Sequence, residues 1–105
     1  MLVLERKTGE TIRVGEHIEF SICKISGSRV RITTRAPGYC IRRGELALTG
    51  GNPSGGNLVL SRKANETIWI GEAICLTVLK VRKNRVSIGI EAPGELRILR
   101  GELAA

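Results

Sequence analysis

The chain contains one motif series twice. Leu2-Val3-Leu4-Glu5-Arg6-Lys7 returns as Leu58-Val59-Leu60-Ser61-Arg62-Lys63, and Glu10-Thr11-Ile12 returns as Glu66-Thr67-Ile68. Ala36-Pro37-Gly38 reappears as Ala92-Pro93-Gly94, and Arg43-Gly44-Glu45-Leu46 as Arg100-Gly101-Glu102-Leu103. Register holds without a gap from Leu2 to Gly38. The first copy then lacks one residue around Tyr39 and Cys40, where the second has Glu95-Leu96-Arg97. A duplication this regular sets the architecture before any other feature is weighed, and it implies that a site carried by one copy is carried by both.

Each copy is a unit of about fifty residues, a size at which a domain buries too little surface to be comfortably stable alone. The economical arrangement is one compact body in which two halves share a core. We place the first repeat at 1–48, a Gly-rich linker at 49–57 and the second repeat at 58–105. The linker, Gly50-Gly51-Asn52-Pro53-Ser54-Gly55-Gly56 at its centre, is flexible by composition. Extended, it reaches at most about 30 Å, enough to cross one side of a small domain.

Period-two alternation dominates both copies. Ile18, Phe20 and Ile22 share one face with Glu19, Ser21 and Cys23 on the other, and Val30 and Ile32 alternate with Arg29, Arg31 and Thr33. This pattern, rich in β-branched residues and punctuated by glycines, reads as half-buried strands. It predicts strands near 2–7, 10–15, 17–25, 29–35 and 39–43, then 58–63, 66–71, 73–81, 85–91 and 95–100. Helix-compatible residues are scarce. The expected class is all-β: two intertwined five-stranded repeats in a single-chain, pseudo-dimeric sandwich or small barrel, each covering the other's strand edges.

The formal net charge of +7 is large for this length and favours a polyanionic partner such as nucleic acid or an anionic membrane. Solubility alone is the plainer explanation of such charge. No apolar run suffices for a bilayer span or a secretory signal, so a cytoplasmic protein is expected. The cysteines, Cys23, Cys40 and Cys75, are scattered and read as buried or half-buried free thiols rather than a disulfide framework or metal site. The single histidine, His17, has Ala73 as its repeat partner, and there is no aspartate. Glu10 and Glu66 stand at turns, where a carboxylate satisfies backbone amides or a neighbouring arginine. No catalytic set, metal or cofactor is implied. With only Phe20, Tyr39 and Trp69 as aromatics, base-stacking platforms are also lacking. An RNA ligand would have to be held by backbone groups, arginines and aliphatic contacts.

Leu-Val-Leu-x-Arg-Lys, the Glu-Thr-Ile that follows it, Ala-Pro after the fourth strand and Arg-x-Glu-Leu after the fifth together resemble the carbon storage regulator family (CsrA/RsmA), twice over nearly the whole chain. The resemblance implies a covalent pseudo-dimer, monomeric in the usual sense, whose halves exchange strands. It also implies a post-transcriptional regulator, or translational repressor, that binds GGA-containing loops of mRNA leaders and small RNAs. One site would combine Leu4, Arg6 and Lys7 with Arg100 and Leu103, and the other Leu60, Arg62 and Lys63 with Arg43 and Leu46. The family's helix after the fifth strand reads as truncated in both copies. The residue missing near Cys40 puts the register of the first copy's fifth strand in question. A second class of reading keeps the fold without RNA binding, as a structural or protein-interaction module.

Overall fold

The structure, a computed structural model, describes residues 1–39, 41–43, 57–94 and 96–101, with the side chains of Arg42 and Arg43 excepted. Ten strands run through them. The first copy contributes β1 (Leu2–Arg6), β2 (Thr11–Val14), β3 (Ile18–Ser26), β4 (Arg29–Arg35) and β5 (Ile41–Arg43). The second contributes β6 (Asn57–Lys63), β7 (Thr67–Ile70), β8 (Ile74–Val81), β9 (Val86–Glu91) and β10 (Ile98–Arg100). They pair into two five-stranded sheets, β1-β9-β8-β7-β5 and β10-β2-β3-β4-β6. Each sheet takes its three central strands from one copy and both edge strands from the other. The expected all-β, strand-exchanged body is what the chain forms. A Cα radius of gyration of 12.5 Å is that of one compact body, for which about 13 Å is usual at this length.

Alternation explains the packing. Along β3 and β4 every second side chain from Ile18 to Ile22 and from Val30 to Thr34 is buried, as a strand with one face on a core requires. All of these but Thr34 join Ile68, Ile70, Leu76, Val78, Val86, Ile88 and Ile90 from the second copy in one apolar cluster. The exchanged strands enter the same core through Leu4 and Leu60.

Three local features were not expected from the pattern. A bulge interrupts β3 between Ile22 and Lys24, and a matching one interrupts β8 between Val78 and Lys80. Cys23 and Leu79 occupy these equivalent bulge positions, and Cys23 is exposed rather than buried. Cys75 is buried, and Cys40 lies outside the described residues. The turn before each second strand bonds back onto the residue preceding the bulge: Gly9 N–H donates to Ile22 O and Asn65 N–H to Val78 O. That turn needs a positive φ, +89° at Gly9 and 72° at Asn65, the left-handed region that Asn tolerates best among side-chain-bearing residues. The missing residue leaves the fifth strands in equivalent register: Arg43 lies opposite Ile68 as Arg100 lies opposite Ile12. The deletion is absorbed before β5 begins.

The third feature is a buried arginine at the end of each exchanged strand. Arg6 and Arg62 share the inward face with Leu4 and Leu60, and both are 5% exposed. Arg6 Nε donates to Glu5 O at 2.8 Å and Nη1 to Thr11 O at 3.3 Å. Arg62 repeats this on Ser61 O and Thr67 O at 2.9 and 3.4 Å. Glu10 and Glu66 balance the charge at 3.7 and 3.8 Å from the Nε atoms, while each also accepts a backbone N–H, from Lys7 or Lys63, at 2.8 Å. The arginine thus ties an edge strand of one sheet to the first central strand of the other.

One flaw breaks the symmetry of the core. Thr34 is buried where the second copy has Ile90, and its Oγ1 has no hydrogen-bond partner among the described residues. An unpaired buried hydroxyl is costly. Thr34→Val should therefore stabilise the protein by about 1 kcal/mol, read as a higher urea midpoint at unchanged m-value. A lower midpoint would show that the hydroxyl is satisfied. Arg6→Met, which keeps the aliphatic stem but strips the carbonyls of their donor, should cost about 2 kcal/mol in the same assay. Lys7→Ala, one residue away and exposed, should stay within about 0.5 kcal/mol. Equal effects of the two would contradict the clasp.

Candidate functional site

Strand exchange brings the open edge of β1 beside the end of β10. Between them lies a groove of about 430 Å³ lined by Val3, Leu4, Glu5, Arg6, Lys7, Glu10, Arg85 and Arg100. Two of its walls come from different copies, so neither copy could form it alone. β1 and β10 are both edge strands, and an edge strand leaves part of its backbone unpaired by the sheet and open to a ligand. Gly101 sets how closely the second wall approaches, since a Cβ there would overlap Thr11 Oγ1. Thr11 is the residue whose carbonyl Arg6 holds.

The cations in this groove are not equivalent. Arg6 forms part of the floor, with its donors directed at main-chain carbonyls. Arg85 Nη1 faces Glu5 Oε2 at 3.5 Å across the rim. Lys7 and Arg100 are exposed, and neither forms an ion pair among the described residues. They are the charges available to an anion arriving from solvent. Arg6 ends β1 on its inward face, and Lys7, the first residue beyond the strand, is exposed.

Leu4, Arg6, Lys7 and Arg100, named from the sequence for one site, therefore do meet, and Leu103 lies outside the described residues. Sequence reasoning missed Arg85 and Glu5 at the rim. Only the pairing of β1 with β9, which places Glu5 opposite Ser87 and Arg6 opposite Val86, brings Arg85 there. At the other end of the pseudo-twofold relation, Leu60 and Arg62 are buried on β6 and Lys63 is exposed. Arg43 ends β5 opposite Ile68, the backbone position that matches Arg100. Leu46 lies outside the described residues.

The comparisons with known proteins agree with this duplicated geometry. The family model described as CsrA, the global regulator protein family, matches residues 1–49 and again 58–105. The translational regulator CsrA of Thermotoga petrophila is 59% identical over 46 residues, 44% of this chain and 55% of the relative. Its namesake in Geobacter metallireducens is 52% identical over 46 residues, covering 44% of this chain and 59% of the relative. That of Treponema pallidum is 46% identical over 46 residues, 44% and 63% of the two chains. Each match spans little more than half of the curated relative's length. No solved structure matches the chain with significance. With two family units matched in sequence and interleaved in space, the chain belongs to the CsrA global regulator family and carries that family's unit in tandem.

Proposed function

We propose that this chain is a sequence-specific RNA-binding protein that recognises GGA-containing loops in mRNA leaders or small RNAs. It acts after transcription, on translation and message stability, from the cytoplasm. The observation that supports this most is the inter-copy groove, where an open strand edge, the aliphatic chain around Leu4 and the exposed Lys7 and Arg100 converge. Backbone N–H and C=O groups along β1 can read base edges, Arg100 can present two parallel donors to guanine acceptors or phosphate, and Lys7 supplies a point charge. Arg6 serves as a positioning residue that holds the strand end in place. The matching elements β6, Lys63 and Arg43 make the second site. Regulation would then follow from occupancy: an RNA loop held in the groove is closed to a ribosome, and no covalent step is required.

Two sites on one rigid body raise the local concentration of a second motif once the first is bound. The test is a titration at near-physiological salt with a hairpin presenting GGA in its loop, against a CCA loop. Tight binding with clear GGA preference is expected, at a stoichiometry reporting two sites. Binding without preference would sink the specific-reader assignment and favour an interaction module. Lys7→Ala with Arg100→Ala should weaken binding at this site by roughly 10- to 100-fold, leaving one tight site of the two for the GGA hairpin, without lowering the urea midpoint. Two tight sites retained in that variant would remove these two residues from the site.

A further inference from the structure

The two halves carry different charge on their outer sheet faces. On the face of β3, β4 and β6, Lys24 lies opposite Arg31, Arg31 opposite Ser61, and Arg29 opposite Lys63. All five side chains are exposed. A shallow concavity of about 210 Å³ is lined by Lys24, Ser26, Arg29, Arg31 and Ser61. The equivalent face of the other sheet places Lys80 opposite Ser87 and Ser87 opposite Glu5, with Arg85 neutralised by Glu5 at 3.5 Å. One cross-strand pair thus reads Arg31–Ser61 in one half and Ser87–Glu5 in the other. The face of β3, β4 and β6 gathers four cations with no carboxylate in an ion pair with them among the described residues.

Like charges set directly opposite each other on neighbouring strands oppose folding, and here two such pairs, Lys24–Arg31 and Arg29–Lys63, stand side by side. Strand spacing makes the cluster roughly 10 Å wide and 7 Å long, with two serine hydroxyls among the cations as further donors. Lys63 and Ser61 also belong to β6, the first strand of the second proposed site. A bound anion that spans this distance, carries several charges and continues into that site is the backbone of a nucleic acid strand.

We infer that the outer face of β3, β4 and β6 is a phosphate track, present on one half only, that holds the RNA segment flanking the motif bound at the β5–β6 site. The inference rests on the RNA-binding reading and adds to it a difference between two otherwise matched sites. The track contributes affinity and salt dependence but no base preference, since phosphate contacts position a strand without reading it.

The experiment exchanges the natural charge sets. Arg31→Ser with Ser61→Glu gives this face the charges of the other half, and Lys83→Glu, at an exposed turn of the second copy, makes the same net change elsewhere. Each is titrated, over a range of salt, with the GGA hairpin carrying a single-stranded extension and with its CCA counterpart. At the β5–β6 site the exchange should weaken binding about tenfold and flatten the salt dependence by roughly one to two units of slope, about 0.7 per phosphate contact for a single strand, with the β1–β10 site unchanged. The GGA-to-CCA ratio should stay unchanged. Lys83→Glu should move neither quantity by half as much. Equal effects of the two variants would reduce the face to bulk charge and overturn the track, as would an unchanged slope in the exchanged variant. The track is also overturned if the exchange abolishes binding to phosphatidylglycerol vesicles while leaving RNA binding untouched. Loss of the GGA preference in the parent protein is a separate result, which would fall on the function rather than on the track.

Discussion

The pairing of each copy's first strand with the other copy's fourth governs everything else in this molecule. Strands β2, β3 and β4 form a three-stranded meander with one apolar face and two open edges, and so do β7, β8 and β9. A fifty-residue unit has neither the surface to cover that face nor strands to close both edges. Crossing β1 to β9 and β6 to β4 closes one edge in each sheet and sends Leu4 and Leu60 into a common core. The groove follows from the same exchange, because β1 comes to rest beside the end of a strand from the other copy. Stability and site therefore share one cause, and a change that loosens the exchanged strand acts on both.

Charge at the end of that strand is divided between core and solvent. Arg6 goes inward with Leu4, and Lys7 goes outward. Burying a guanidinium is unfavourable unless its donors and its charge are met, and the chain meets them with two carbonyls and the carboxylate of Glu10. Glu10 also caps the Lys7 amide, so one side chain sets the turn and compensates the buried cation. The repeated Arg-Lys and Glu-Thr-Ile segments are thus halves of a single device. Their recurrence in both copies has an architectural cause, and the solvent-facing charge on the groove falls to Lys7 and Arg100.

Much of this was legible in the sequence, for reasons that can be named. Period-two alternation placed the strands because one face of each sheet is buried. Strict alternation from Leu4 would also have sent Arg6 inward, but a charged residue is assigned to solvent by default, and its compensating carbonyls belong to a turn and to another sheet. The bulges were hidden because Cys23 and Leu79 share no chemistry. What fixes them is the bonding of the preceding residue to the Gly9 or Asn65 turn. Arg85 entered the groove unannounced, since its neighbour Glu5 is reached only through inter-copy pairing. The register of β5 was open as well, and settled because the pairing of Ile41 with Ile70 and of Arg43 with Ile68 repeats that of Ile98 with Val14 and of Arg100 with Ile12.

Covalent duplication has a consequence that identical subunits cannot share. In a symmetric dimer any substitution appears on both faces at once, and a Ser-to-Arg exchange beside a Glu-to-Ser exchange would alter both sites together. In this chain the same cross-strand position is acidic on one face and basic on the other, through Glu5–Ser87 and Ser61–Arg31. The core tolerates the divergence because these side chains point to solvent, where charge changes cost little unless like charges meet. An uneven field of this kind orients an approaching polyanion. On the proposed RNA-binding reading, the half with the stronger field would engage first, and the second motif would close from a raised local concentration. The order of engagement on a two-motif RNA would then be a property written into the sequence, which no pair of equal sites could specify.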